Sequence, residues 1–366
     1  MSVKPKVAAK FVGALALAAI VVGGIWTASP CKAQQANLLD RDSAFTGKEV
    51  PREVVHIYER GLEWLVKNQS KDGSWPSPSN PGPGVTGLSL MAFLASGEDP
   101  NFSQYHPTVL RGIQFLIQSQ DPLTGYLGGS MYHHGFGTLA LAEAYGVVDE
   151  RTLWEGSDVP ADRRRSIGEA LELAVRTSVT SQDRSETGGW RYSPSSSDAD
   201  TSVSGAILVS LIAARNAGIE VPDKNIDRSI AYFISMTSKS GQVAYAGGLG
   251  GYDESHARIS IAALVYAIAG RKDLKEFQLC SDYLKTKGNV LTKDHYPEYT
   301  SYYKAQALFQ TDLKTWEAWN GLLIQDLQKN QKGDGHFDGN FGPNVATSLS
   351  LLSLALNFRF LPIYER

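Results

Sequence analysis

The feature that most constrains this chain is one short phrase written near both of its ends. Gln69–Trp75 reads QSKDGSW and Gln331–Phe337 reads QKGDGHF. Each has Gln, then Asp-Gly three and four places on, then an aromatic residue at the sixth. The two phrases start at positions 69 and 331, 262 residues apart. A chain that reuses a turn at such a distance is assembled from repeated supersecondary units, each packed mainly on its neighbours.

The unit can be read from the residues on either side of the first phrase. Val54, Val55, Tyr58, Leu62, Leu65 and Val66 fall on one face at helical spacing, with Glu53, Arg60, Glu63 and Lys67 on the others. That pattern predicts an amphipathic helix. After the turn, the stretch from about Val85 to Ser96 is apolar almost all round and rich in small residues. It predicts a second helix, buried on most sides. The same order of events returns from Gly112, Ala170, Ser229, Cys280 and Leu323, at intervals of 43 to 59 residues.

Six such hairpins bury both kinds of helix if the apolar ones form an inner ring and the amphipathic ones an outer ring. An open solenoid would leave a concave face needing polar residues. Ile207, Leu208, Leu211 and Ile212 leave no polar stripe, nor do Leu349, Leu351, Leu352 and Leu354. The expected fold is therefore all-α, an α/α toroid of about six helical hairpins.

Gln, Asp-Gly and an aromatic after an amphipathic helix resemble the repeat of the prenyltransferase and squalene-cyclase superfamily. The resemblance runs over roughly residues 52–358, with clear turns in repeats one, two, three and six and degraded ones in four and five. It implies an α/α toroid that binds an isoprenoid or similar lipid centrally, with cyclase or transferase chemistry as the associated activity. Asp198-Ala199-Asp200-Thr201 resembles the acidic Asp-x-Asp-Asp-Thr motif with which the cyclases protonate an isoprenoid, so Asp198 and Asp200 are the catalytic candidates. The match departs from the motif because Ala199 stands where one acid belongs. A plain alternative is that Asp200 caps the helix beginning TSVSG. Protein prenyltransferases hold zinc with an Asp-x-Cys pair and a later His. Here only Asp198, Asp200 and His256 are offered and the Cys is missing, so no cofactor is expected, and a divalent ion on those three is the residual metal reading. Cys280 sits in LCSDY without a thioester-type Gly-Cys-Gly-Glu-Gln stretch.

In a toroid the starts of the inner helices gather at one mouth, where free N–H groups collect. Polar residues expected to meet a ligand there are His133, His134, Tyr252, Glu254, His256, Tyr299, Tyr302, His336 and Asn344. Two other functions fit the same fold. A carbohydrate-active toroid would stack sugars on Trp75, Tyr126, Trp190 and Tyr192 and use Asp198, Asp200 or Glu254 as acid and base. A non-catalytic binding or interaction scaffold would have a plugged or passive centre.

Composition narrows the partners. Lys4, Lys6 and Lys10 precede an apolar and Gly run from Phe11 to Trp26, and Cys31-Lys32-Ala33 has the small residues of a signal-peptidase site. Residues 1–33 are thus expected to be a signal peptide, or an N-terminal anchor using residues 11–28, followed by a linker over 34–51 and the toroid over 52–366. The chain is then exported, to a periplasmic or extracellular place or to a membrane surface. The leader holds four Lys and no acid, leaving 31 basic and 38 acidic residues beyond it. That balance argues against a nucleic-acid partner. Only Cys280 remains, so no intrachain disulfide is expected.

Overall fold

The computed structural model describes residues 50–77, 81–247, 254–291 and 295–358, together with Leu361 and Ile363. The expected leader, its cleavage point and the anchor at 11–28 lie outside these residues, as does nearly all of the linker. Residues 50–366 make one compact unit. Among the described residues, no helix is long and apolar enough to cross a membrane.

Twelve α-helices alternate outer and inner among the described residues. The outer ones are α1 (Arg52–Lys67), α3 (His106–Ser119), α5 (Ile167–Gln182), α7 (Asp223–Met236), α9 (Lys275–Lys287) and α11 (Leu313–Asn330). The inner ones are α2 (Pro83–Leu94), α4 (Met131–Ala144), α6 (Thr201–Asn216), α8 (His256–Ile268), α10 (Pro297–Thr311) and α12 (Pro343–Leu354). Each inner helix packs on the next, and α12 packs back on α2. The fold is an α/α toroid.

Local signals start the helices. Pro83, Pro297 and Pro343 open α2, α10 and α12, where their fixed φ suits the first turn and no amide is lost. Ser166 and Glu169 form a capping box on α5. Every residue of α2 is buried, as expected for an inner helix without a polar face. On α1 the buried stripe is Val54, Ile57, Tyr58, Gly61, Leu62, Trp64 and Leu65. Val55 and Val66, expected on that stripe, sit at its half-buried edges.

Glycine permits the closest inner contacts. A methyl group on Gly87 of α2 would stand 2.6 Å from the Phe136 carbonyl oxygen of α4, and one on Gly205 of α6 would stand 2.3 Å from Ile261 of α8. Ser89 and Ser348 share a 2.9 Å hydrogen bond where α2 meets α12.

The repeated phrase is the seam of the outer ring. In each clear turn the Gln side-chain amide donates to the carbonyl of the turn glycine and to a carbonyl on the next outer helix. Gln69 reaches Gly73 and Thr108, Gln120 reaches Gly125 and Ala170, and Gln182 reaches Gly188 and Asn225. Gln331 reaches Gly335 and Ile57, both at 2.8 Å, and so ties the last turn to the first helix. The aromatic residue closes the gap below: the indole N–H of Trp75 donates to Leu65 and that of Trp190 to Ser178. The second bond of each Gln thus crosses to the following hairpin.

Residues 151–165, an insertion in the sequence, form surface turns around two short 3₁₀ helices. Trp154 anchors them through its indole N–H to the Arg165 carbonyl, 2.9 Å away.

Candidate functional site

The mouth at the inner-helix starts opens into a cavity of about 580 Å³. Its upper wall comes from first-turn residues: Gly84 and Val85 of α2, Tyr132 and His133 of α4, Ser202 of α6, and Tyr299 of α10. One turn deeper lie Leu88, Phe136 and Leu349. Tyr192, Tyr245, Tyr296 and Phe341 frame the opening, with Tyr296 stacked on Phe341 at 4.6 Å. No carboxylate is among the described lining residues. The pocket is therefore apolar and aromatic with a few hydroxyls, of a size that suits a small organic ligand. A hollow of about 420 Å³ on the outer side, between Arg165, Glu169, Glu172, Leu173 and Arg176, carries both signs of charge.

Asp200 sits directly behind this wall. Its Oδ1 accepts the Val203 N–H at 2.9 Å, so it does cap α6. Its side chain is fully buried, and Oδ2 accepts no hydrogen bond. The capping role and the acid role thus use different oxygens. Arg191 lies nearby, with Nε 3.8 Å from Asp200 Oδ2 and Nη1 donating to Asp198 Oδ2 at 2.7 Å. Burial pushes the Asp200 carboxyl up to about 6, against weaker opposing pulls from the Val203 N–H and Arg191.

Tyrosines surround this acid. Tyr132 and Tyr299 from the cavity wall, and Tyr232 and Tyr245 from α7 and the loop before α8, all feel its charge, though burial is the main reason their hydroxyls resist ionisation. The buried Tyr232 hydroxyl has no hydrogen-bond partner, whereas the Tyr299 hydroxyl lies among those of Tyr132, Ser202 and Tyr303. At the rim the Tyr192 and Tyr245 hydroxyls meet at 2.9 Å.

The other expected site residues divide into several places. His133 lines the cavity, and burial holds its imidazole below the usual histidine range. His134, one residue on, turns away from it. Its Nδ1 accepts the Leu127 N–H, and its Nε2 lies 3.1 Å from both the Ala174 carbonyl and the Ser178 hydroxyl on α5. Full burial lowers it to about 4. Adjacent helical positions point about 100° apart, so one faces the ligand space and the other the outer ring. Tyr299 lines the cavity, whereas Tyr302 packs deeper, against Phe136 and Tyr303. Asp198 is exposed and held by Arg191.

Glu254 and His256 sit with Tyr283 and Lys287 in a separate group at α8 and α9. Glu254 accepts from the Tyr283 hydroxyl, and its Oε1 is 3.8 Å from both His256 Nε2 and Lys287 Nζ. His336 lies on the outer turn between Asp334 and Asp338 and stacks near Trp64. Asn344 donates to the Pro76 carbonyl at 2.6 Å. Tyr252 lies outside the described residues. Asp198, Asp200 and His256 do not assemble a ligand set, and among the described residues no group of three or more His, Cys, Asp or Glu is placed to hold a metal ion. Trp75 and Trp190, considered as sugar platforms, are buried plugs of the turns. Tyr192 is half exposed at the rim.

Sequence reasoning overlooked Arg191, Ser202, Tyr232 and Tyr245. Arg191 follows the aromatic of the third turn, and a backbone bond from Asp200 N–H to the Trp190 carbonyl brings it beside the acid. An Arg directly after a repeat's aromatic was the available signal.

No family profile and no curated protein sequence matches the chain. Solved structures do. The type II terpene cyclase MstE from Scytonema, in complex with its substrate geranylgeranyl dihydroxybenzoate, superposes with a TM-score of 0.57 at 13% identity, over 85% of this chain and 99% of that one. The α/α toroid of this chain is similar to that of this type II terpene cyclase. A D-mannose isomerase superposes at 0.54 and 14% identity over 83% of this chain and 96% of its own. A reducing-end-xylose releasing exo-oligoxylanase reaches 0.50 at 10%, over 85% and 93%. Toroids of this terpene-cyclase shape therefore include carbohydrate enzymes, and at such identities the likeness is one of fold.

Proposed function

We propose that the cavity binds an isoprenoid or similar apolar lipid and that Asp200 protonates it. The carrying observation is a fully buried carboxyl, raised to about 6 and with one oxygen unpartnered, behind an aromatic wall. A general acid must hold its proton near the working pH, and burial achieves that here. In the proposed step a wall hydroxyl of Tyr299 or Ser202 passes its proton to a double bond lying against the Tyr132–Ser202–Tyr299 patch and takes one from Asp200 in return. The π pair becomes the new C–H bond and leaves a carbocation. A further double bond of the same chain attacks that cation, and the last cation loses a proton that returns to the Asp200 carboxylate by the same hydroxyls, which restores the acid. Tyr132, Phe136, Tyr296, Tyr299 and Phe341 offer ring faces that stabilise positive charge in a dry site.

A glycan reading has less support. Glycoside hydrolysis requires two carboxylates flanking one bond, and no acid is found on the described cavity wall. The test is incubation of the chain with linear isoprenoids bearing terminal double bonds, followed by gas chromatography–mass spectrometry. Cyclised products from the wild type and none from Asp200→Asn are expected. Equal product from both, or conversion of sugars in place of lipid, would sink the assignment.

A further inference from the structure

Resting on the reading of Asp200 as the acid, we propose that Arg191 is a positioning residue shared between two carboxylates, and that exposed Asp198 keeps Asp200 protonatable by holding it. The geometry carries this. Arg191 Nη1 donates to Asp198 Oδ2 at 2.7 Å, whereas its Nε stops 3.8 Å from Asp200 Oδ2, beyond hydrogen-bond reach. Asp198 is two-thirds exposed and Asp200 fully buried. The guanidinium is planar and prefers to engage one carboxylate with a pair of donors. Here Nη1 is spent on the surface carboxylate, and the buried oxygen is left without a hydrogen-bond donor.

The groups facing Asp200 from each packed element leave Arg191 as the cation that sets its charge. Tyr132 comes from α4, Tyr232 from α7, Tyr245 from the loop before α8, and Tyr299 from α10. All are neutral phenols. The Arg191 guanidinium also lies over the Tyr245 ring, with Cζ 5.9 Å from its centroid. Without a charge at Asp198, the counter-ion left within reach is the unpartnered Asp200 oxygen. Closing that gap would make a buried, full-strength ion pair and hold the acid ionised. Asp198 thus acts on Asp200 through Arg191.

The test reads the carboxyl directly and needs no substrate. The whole chain is labelled with ¹³C at the Asp carboxyls, the Asp200 signal is assigned by its loss in Asp200→Asn, and its shift is followed with pH. Asp198→Asn is expected to lower the Asp200 midpoint by about one pH unit, and Arg191→Gln to raise it by a similar amount. In the Arg191→Gln background, Asp198→Asn should lose most of its effect and keep only the weak direct field of the Asp198 charge. Asp198→Glu should restore the wild-type midpoint. An unmoved midpoint in Asp198→Asn overturns the proposal. So does an undiminished Asp198 effect in the absence of Arg191, which would be a direct field. If the midpoints move as stated while lipid conversion ignores Asp200→Asn, the catalytic reading falls and this linkage stands.

Discussion

The outer seam and the inner mouth of this toroid treat polar atoms differently. At the seam each turn Gln spends both side-chain N–H groups on backbone carbonyls, and Arg111, Asn225 and Arg60 donate to the Gln69, Gln182 and Gln331 oxygens, while Gln120 Oε1 is left without a donor. At the mouth Asp200 Oδ2, with only the Arg191 Nε at 3.8 Å, and the Tyr232 hydroxyl are buried without hydrogen bonds. Satisfied groups stabilise a closed ring, whereas an unsatisfied buried group costs stability. Strain of this kind collects where a fold does chemistry. The seam holds the ring together, and the mouth draws on that stability.

The comparison is broken most severely at a seam glycine. Gly73 has φ +89°, and a Cβ there would lie 2.1 Å from the Arg111 carbonyl oxygen. Gly73→Val is expected to destabilise by at least about 4 kcal/mol or to prevent folding, because both backbone conformation and space exclude it. A urea midpoint near wild type would show that the seam is not needed.

Asp200→Asn comes next, with opposite consequences for activity and stability. Turnover is expected to fall by roughly 10²- to 10⁴-fold. Stability at pH 7 should rise, by on the order of 2–3 kcal/mol, since an ionised buried carboxylate is replaced by a neutral isostere. Measured thermal unfolding would check the second part independently of any substrate. Gln331→Leu, at the closing seam, removes bonds to Gly335 and Ile57 and takes one acceptor from Arg60, which keeps the Lys332 and Gly333 carbonyls. About 2–3 kcal/mol should be lost, as read by urea denaturation.

A finer test uses the two buried titrating groups. Asp200 has a folded value of about 6, above that of an unfolded Asp. The fold therefore holds the extra proton, and this group's contribution is lost as pH rises through 4 to 6. His134 lies on the seam side at about 4, below its ordinary value of 6.5. The unfolded state then binds the extra proton, and stability is lost as pH falls from 6.5 toward 4. The slopes oppose each other. The two nearly cancel in the wild type, so removing Asp200 should leave a rise of stability with pH in that window, and His134→Asn should leave a fall. Parallel curves for the two variants would refute the assignment of charges. Smallest of all, Phe102→Ser at an exposed loop position should change stability by less than about 0.5 kcal/mol.

Legibility in the sequence followed the same division. The seam was readable because a turn reused around a ring must solve one local problem each time. Even the degraded fourth turn keeps its glycine: Gly241 has φ +79°, and a Cβ there would meet the Leu279 carbonyl oxygen at 2.4 Å. Gln and Asp are lost from that turn, so only the glycine remained as a signal. The mouth was less readable. His133 and His134 looked like a pair, yet helical rotation separates them. Glu254, His256, His336 and Asn344 sit near inner-helix starts in sequence but engage their own loops or the outer seam.

The chain alone specified six hairpins, their inner and outer faces and a closed all-helical ring, because hydrophobic period and turn chemistry are local properties. It also marked Asp200 as a residue at a helix start. Which of its oxygens caps, which is left buried, and which arginine stands beside it were decided by tertiary structure. Those facts depend on contacts between separate hairpins, and burial and electric fields exist only once the ring has closed.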